Sequence, residues 1–234
     1  MNLLNRDFLL VDKPAGMSSF AVVARVRRIL TEQMKEDYAK RGMTAPKRAK
    51  VGHAGTLDPF ATGLLVCLLG KGTKRAAEFL KKDKRYEATI CLGKTSTTGD
   101  VEGEISEYRR FPEIDISEIS SVISRFKGRV RQRVPAYSAV KINGRRAYDL
   151  ARKGIKVEMP EREVTIYDIS VVEYKWPYLK IDCKVSSGTY IRALGEDIGK
   201  ALGVGGYLTE LRRTEIGDFS VKEAVTLEEL GVTS

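Results

Sequence analysis

Short apolar runs of strand length alternate irregularly with stretches of helical periodicity, and this pattern limits the folds open to the chain. The predicted strands cover residues 8–11, 64–69, 85–92, 164–173 and 179–185. The predicted helices cover residues 22–30, 73–82, 116–126, 148–152 and 191–202. A doubly wound parallel sheet needs a regular βαβ alternation that these elements lack, so the sequence predicts an α+β fold.

Length and composition exclude several classes of protein. The 234 residues are 42% hydrophobic and 31% charged, which is typical of a globular chain rather than a disordered or fibrous one. No linker stands out, so we expect one folded unit of one or two lobes. No apolar run approaches the ~20 residues of a membrane helix, and no secretory signal is visible. Three scattered cysteines favour a reducing cytoplasm, and a single histidine without a CxxC pair argues against a structural zinc site.

The charge is strongly basic and unevenly distributed. Lys and Arg number 41 against 31 Asp and Glu, a net charge of +10. Residues 125–156 hold eleven bases and one acid, and residues 71–85 hold seven bases and two acids, whereas residues 87–124 hold eight acids and three bases. Such segregation favours a surface that binds a polyanion such as nucleic acid. The alternative is a solvated surface on which the basic blocks lie far apart.

Several familiar catalytic motifs are absent from the sequence. The glycines near residues 63–72 do not form a phosphate-binding loop, and those at 203–206 follow a predicted helix without the spacing of a dinucleotide fingerprint. Zinc deaminase motifs are missing, and no Gly-x-Ser-x-Gly elbow accompanies the one histidine, His53.

Asp58 is the candidate reactive group that remains, in the run Gly55-Thr56-Leu57-Asp58-Pro59. Pro59 favours an extended backbone at Asp58, and Leu57 and Phe60 place apolar bulk around it. Burial raises the pKa of a carboxyl group, so a nearby cation is needed to keep it ionised. An Asp-Pro pair is also common in ordinary turns and helix caps. The spacing alone does not exclude this structural interpretation.

Two further segments carry candidate binding groups. Arg192 follows a glycine turn at the start of a predicted helix, where it could pair with a carboxylate. Tyr86 interrupts a basic run, as an aromatic side chain that stacks on an RNA base would. The alternatives are a solvated arginine and an ordinary strand tyrosine.

Taken together and in order, these segments resemble the TruB family of tRNA pseudouridine synthases. The resemblance rests on the segments Asp12–Ser19, Gly52–Leu65, Lys84–Tyr86, Val134–Lys141, Gly188–Arg192 and Leu211–Arg213. It spans nearly the whole chain, and the Gly-Thr-Leu-Asp-Pro block is its most specific part. The resemblance implies the pseudouridine synthase fold, with a central mixed, largely antiparallel sheet, flanking helices and a basic cleft.

The resemblance also implies the reaction and its partners. A uridine in the T loop of tRNA, position 55, is isomerised to pseudouridine by an aspartate-dependent, base-flipping mechanism without metal or organic cofactor. The expected partner is the T stem-loop of tRNA, with no membrane partner, and the chain is expected to act as a cytoplasmic monomer. Two alternatives remain: a non-catalytic chaperone that folds tRNA, and a relative that works with guide RNA.

Site residues are carried over from the family motifs one by one. Asp58 matches the essential aspartate, which acts either as nucleophile at C1′ or C6 or as the base that removes the C2′ proton. Arg192 matches the arginine that pairs with this aspartate, and Tyr86 matches the tyrosine that stacks on the target base. His53 resembles the histidine that fills the place of the flipped base, and Tyr190 and Leu211 match further pocket residues. Lys13 and Pro14 fit a structural motif.

Two features depart from the usual family pattern. Many members carry a C-terminal PUA-type RNA-binding extension, which we expect this chain to lack, and the basic segment 31–50 is longer than in short bacterial members. More of the RNA affinity is then expected from the catalytic domain itself. The candidate contacts to the RNA backbone are Arg129, Arg131, Arg133, Lys141, Arg145 and Arg146.

Overall fold

A computed structural model describes residues 1–107, 113–155 and 157–231. Its strands are β1 (Phe8–Lys13), β2 (Val51–His53), β3 (Thr62–Leu69), β4 (Lys84–Leu92), β5 (Lys94–Ser96), β6 (Ile105–Glu107), β7 (Gly128–Arg133), β8 (Lys141–Ile142), β9 (Arg145–Arg146), β10 (Glu161–Lys175), β11 (Tyr178–Val185), β12 (Gly206–Ile216) and β13 (Phe219–Ser220). Its α-helices are α1 (Ser19–Lys40), α2 (Ala76–Leu80), α3 (Ile116–Ser124), α4 (Ala147–Arg152) and α5 (Ile191–Ala201). None of the helices in this part of the chain combines the length and apolarity needed to cross a bilayer.

The main sheet confirms the predicted α+β class. Its hydrogen-bonded order is β1-β3-β12-β4-β11-β10-β7, with β2 paired to β3 and β13 paired to β12. β1 runs antiparallel to β3, and β10 runs antiparallel to both β11 and β7, whereas β12 runs parallel to β3. The sheet is therefore mixed, and helices accompany its strands. By contact the chain divides into two compact units, Met1–Arg85 with Arg212–Ser234, and Tyr86–Leu211.

In the first unit, β3 is buried on both faces, which explains its uninterrupted apolar sequence. Its odd-numbered residues from Leu65 onward pack with β1 and with Val22 and Val26 of α1. Its even-numbered residues pack with Phe79 and Ile216, beside a cluster of three aromatic rings. α1 begins at the cap Ser18, whose side chain accepts a hydrogen bond from the Ala21 N–H.

In the second unit, the amphipathic helix α3 contacts β10, and α5 packs directly on the chain that leads into β12. A Cβ at Gly199 would lie 2.3 Å from the backbone nitrogen of Gly206, so only glycine allows this approach. α5 ends before Gly203, which adopts a positive φ of 73° and stops the helix.

Several elements differ from the expectations drawn from sequence. Residues 31–50 were expected to continue the helix briefly and then form a loop, but α1 reaches Lys40. The helix expected over 73–82 is a 3-10 helix, Gly70–Arg75, followed by the short α2. β7 and β12 lie where the hydrophobic pattern indicated no element, because basic side chains interrupt the alternation in both.

Candidate active site

The first unit carries Asp58 on a loop between β2 and β3. Asp58 is half-buried, between the buried Leu57 and the half-buried Pro59. The Ala61 N–H donates to the Asp58 carbonyl at 3.1 Å, so residues 58–61 form a tight turn, and no helix begins here. The turn alternative that spacing left open therefore describes the backbone correctly, and the carboxylate is presented by a turn rather than used as a helix cap.

Lys13 fixes the loop directly after Asp58. Its side chain is fully buried, and the ammonium donates to the carbonyls of Pro14 (2.8 Å), Met17 (2.6 Å) and Pro59 (3.1 Å). The Gly16 N–H donates to the same Pro59 carbonyl at 2.9 Å. The structural role expected of Lys13 thus has a concrete form, since it connects the end of β1 to the turn that bears Asp58.

Ser19 fixes the loop directly before Asp58. The Ser19 hydroxyl donates to the Leu57 carbonyl at 2.9 Å and accepts from the Leu57 N–H at 2.8 Å, with the serine 2% exposed. Ser18 and Ser19 are neighbours in sequence, but they make different contacts. Ser18 caps α1, whereas Ser19 holds the backbone directly before Asp58.

Arg213 supports the same loop from β12. Its guanidinium, 2% exposed, donates to the carbonyls of Gly55 (3.1 Å) and Leu64 (2.8 Å). Gly63 has a φ of +100°, and a Cβ there would lie 2.3 Å from the Arg213 carbonyl oxygen. The last glycine of the motif is therefore required by this close backbone approach, and Arg213 joins the site as a residue that sequence treated only as part of a motif.

We expect Lys13→Met to lower the free energy of unfolding by about 2–4 kcal/mol, because methionine fills the buried space but donates no hydrogen bond to the three carbonyl oxygens that the ammonium serves. Urea unfolding measures the change. Lys71→Met is the matched control, because Lys71 is exposed in the same unit. Equal stability of the two variants would contradict the role assigned to the Lys13 ammonium.

His53 lies at the end of β2, half-buried beside the loop. Burial and then the neighbouring Arg213 guanidinium lower the pKa of His53 below its ordinary value. Its Nδ1 is buried and has no hydrogen-bond partner within the described residues. The ring is therefore neutral at pH 7, which suits it to stacking in place of a nucleobase.

The second unit holds Arg192 in the first turn of α5, where it is 5% exposed. Nη1 donates to the Thr98 carbonyl and Nη2 to the Tyr137 carbonyl, each at 2.8 Å, and Nε lies 3.5 Å from Oδ2 of Asp100. Asp100 is 2% exposed and also accepts from the Thr98 hydroxyl at 2.6 Å. The solvated alternative for Arg192 is wrong, and Asp100 is a buried partner that sequence reasoning missed.

The other candidates of this unit are Tyr86, Tyr190 and Leu211, in two strands and at the start of α5. Tyr86, in β4, is 9% exposed, and Leu211, in β12, is 7% exposed. Tyr190 is the cap of α5, and the buried Gln132 bonds both its N–H (3.1 Å) and its carbonyl (3.2 Å). The Arg162 guanidinium lies over the Tyr190 ring, 5.4 Å from the centroid.

The basic candidates separate into two kinds of surface. Arg129, Arg131 and Arg133 are exposed on β7, but Glu163 lies opposite Arg131 and Glu161 opposite Arg133 on β10. Acids on the neighbouring strand therefore offset much of this charge.

Neither strand of the hairpin β8–β9 carries an acid, although the contact with Tyr148 and then Asp149 of the following α4 raise the pKa of Arg146. Lys141 lies directly opposite Arg146, and Arg145 is opposite Ile142, all around the turn at Asn143 and Gly144. Like charges placed opposite each other in a hairpin repel, and a bound phosphate would relieve that repulsion. Of the six basic candidates, the three on this hairpin have the stronger claim to an RNA backbone.

Comparison with known proteins gives a consistent family. The model described as TruB family pseudouridylate synthase (N terminal domain) matches residues 41–191, and that of the tRNA pseudouridylate synthase B C-terminal domain matches residues 192–233. Relatives named tRNA pseudouridine synthase B include those of Corynebacterium diphtheriae (45% identical, 97% of this chain and 73% of the relative) and Phocaeicola vulgatus (41% identical, 97% and 93%).

Solved structures show the same fold. A chain described as part of a Cbf5-Nop10-Gar1 complex aligns with a TM-score of 0.69 and 30% identity over 95% of this chain. An H/ACA RNP bound to a substrate RNA containing 2′-deoxyuridine aligns with a TM-score of 0.66 and 28% identity, also over 95%. The present chain spans 53% and 51% of those two chains, about half of each.

Proposed function

This chain belongs to the TruB family of pseudouridylate synthases, and we propose that it isomerises the T-loop uridine of tRNA, position 55, to pseudouridine. The observation that carries the proposal is the Asp58 loop. Lys13 and Ser19 hold the residues on either side of the aspartate, so the carboxylate stands on a rigid backbone. Such rigidity is what a positioned catalytic group needs.

The proposed reaction rearranges one nucleotide without gain or loss of atoms. The bond between N1 and C1′ breaks, the freed uracil turns, and C5 forms the new bond to C1′. C5 then loses its proton and N1 takes one up. Asp58 starts this sequence, either by attacking C1′ or C6 or by removing the C2′ proton. No electron is transferred to or from another molecule, so the proposed chemistry needs no redox cofactor.

Arg192 is proposed to keep the Asp58 carboxylate ionised. The two residues belong to different compact units, and their pairing rests on the motif resemblance. Its chemistry suits the role, because a guanidinium remains charged at any pH relevant to the reaction. The contacts of Arg192 to Thr98, Asp100 and Tyr137 hold its guanidinium in one position.

Base flipping is proposed to bring the uridine to Asp58. Extruding a base costs a few kcal/mol, and aromatic stacking repays part of that cost. In the proposal Tyr86 stacks on the flipped uracil, with Tyr190 and Leu211 lining its pocket. The neutral His53 ring occupies the space that the base leaves, where a charged ring would be costly to bury.

The proposal is tested with T-loop RNA that carries tritium at uridine C5. Isomerisation releases the label because C5 becomes the bonded carbon, so the native chain is expected to release one tritium for each uridine converted. An unrelated RNA hairpin that carries the same tritiated uridine in its loop serves as the negative control. If the native chain only accelerates tRNA folding and releases no label, the chaperone alternative is correct instead.

The β8–β9 hairpin predicts an unequal effect of neutralising arginines. We expect the double variant Arg145→Gln/Arg146→Gln to reduce the slope of log affinity against log salt by about 2, one for each lost phosphate contact. Arg131→Gln/Arg133→Gln removes equal charge from β7, and we expect a smaller change because glutamates already face those arginines. Binding titrations of T-loop RNA at several salt concentrations measure both, and a larger change in the β7 variant would contradict the assignment.

A further inference from the structure

A cavity lies within the first unit, beside Lys13. Its volume is about 370 Å³, within the range of small-molecule sites. The end of β1, the first turns of α1 and the segment after β13 form its walls. The lining residues are Asp12, Lys13, Pro14, Met17, Arg25, Thr62, Arg212, Thr226, Leu227 and Glu228.

Three of the charged side chains in this cavity, Asp12, Lys13 and Arg212, already have protein partners. Arg212 binds both oxygens of Asp12 in a fork, at 3.1 and 2.7 Å, and also approaches the Thr62 hydroxyl at 3.4 Å. The Lys13 ammonium donates to three carbonyls. Asp12 therefore offsets the charge of Arg212, and the carbonyls occupy the donors of Lys13.

Among the cations of this cavity, Arg25 differs from Lys13 and Arg212. Its guanidinium is half-buried, and the one partner found for it within the described residues is the thioether sulfur of Met17, 3.0 Å from Nη1. A thioether is a weak acceptor, and a guanidinium has five donors. A cation so poorly satisfied at the wall of a cavity is suited to an anion, and its planar fork matches the oxygens of a phosphate.

The rest of the lining suits the other parts of a nucleotide. Pro14, Met17 and the buried Leu227 provide an apolar wall against which a flat base can lie. The exposed Glu228 carboxylate stands at the rim and forms no ion pair within the described residues, so it can accept hydrogen bonds from ribose hydroxyls. Cation, apolar wall and acceptor thus meet in one cavity of the first unit.

We propose that this cavity binds one ribonucleotide, with its phosphate on Arg25, its base against Met17 and Leu227, and its ribose hydroxyls toward Glu228. The nucleotide has two possible sources: a residue of the RNA substrate outside the reacting position, or a free mononucleotide. The RNA source rests on the proposed function. Lys13 lines this cavity and also holds Pro59, so an occupant lies one side chain away from the catalytic turn.

The test is a binding titration of the full-length chain with uridine 5′-monophosphate and, separately, with T-loop RNA. We expect Arg25→Gln to weaken at least one of these ligands about tenfold, as the loss of a charge-assisted contact would. Arg25→Lys keeps the charge without the fork and should retain part of the affinity. Arg28→Gln is the matched control, since Arg28 is exposed on the same helix and outside the cavity.

The outcomes distinguish the two sources of the nucleotide, and a separate measurement tests the proposed function. An Arg25-dependent loss with the mononucleotide assigns the site to free nucleotides, and a loss with RNA alone assigns it to the substrate. Equal affinities of native chain, Arg25→Gln and Arg28→Gln for both ligands would overturn the proposal. Tritium release by the native chain reports on the proposed function separately, and thermal melting confirms that each variant is folded.

Discussion

Asp58→Asn is expected to reduce tritium release from T-loop RNA by about four orders of magnitude or more, while the affinity for that RNA changes little. Asparagine has the size of aspartate but neither its charge nor its nucleophilicity, so either chemical role of the carboxylate is lost. The turn that presents residue 58 is held by backbone groups and by Lys13 and Ser19, none of which changes in the variant. The effect should therefore be chemical rather than structural.

The control for this variant is Asp218→Asn in the same unit, whose carboxylate side chain is 93% exposed. We expect it to release tritium at the native rate. Single-turnover measurements with excess protein separate the chemical step from binding. If Asp58→Asn retained a rate within tenfold of the native chain, the catalytic assignment would be wrong, whatever happened to RNA affinity.

The elements that were predictable from sequence are those whose pattern is local. The apolar runs of β1, β3, β4 and β11 and the periodicity of α3 and α5 depend on burial of one segment at a time. β7 and β12 were missed because arginines occupy alternate positions of β7 and adjacent positions of β12. Their place in the sheet is fixed by partner strands that are distant in sequence.

The candidate site shows the same division. Motif residues such as Asp58 and Arg192 could be named because the resemblance fixed their positions in the chain. Their supporting contacts could not, because Ser19 lies 38 residues from Leu57, and Asp100 lies in a polar loop far from Arg192 in sequence. A buried acid in a loop has no distinguishing sequence pattern, and only the fold reveals that it faces a guanidinium.

The basic surface illustrates a third limit. Sequence composition treated Arg131 and Arg145 alike, as members of one basic block. Cross-strand pairing distinguishes them, since Glu163 lies opposite Arg131 and an isoleucine lies opposite Arg145. Local charge can be counted from sequence, but compensation of charge depends on which strands become neighbours.

Arg192→Gln is expected to produce the second large loss, a fall in tritium release of about a hundredfold to a thousandfold, which is typical for removal of one preorganised charged group. It also leaves Asp100 buried without its cation, which should lower the free energy of unfolding by about 3 kcal/mol. Assays well below the melting temperature of the variant keep the two effects apart. Arg125→Gln, an exposed arginine of the same unit, is the control.

Arg192→Lys and the pH profile distinguish a role toward Asp58 from a role confined to the second unit. Lysine carries a single point charge and cannot serve the carbonyls of Thr98 and Tyr137 together with Asp100, so we expect Arg192→Lys to be destabilised almost as much as Arg192→Gln. In the proposed pairing the guanidinium makes the Asp58 carboxyl group harder to protonate, so its removal should move the acidic limb of the pH–rate profile to higher pH in Arg192→Gln and less in Arg192→Lys. An unmoved acidic limb in both variants would show that Arg192 supports the fold around Asp100 and leaves the ionisation of Asp58 to other groups.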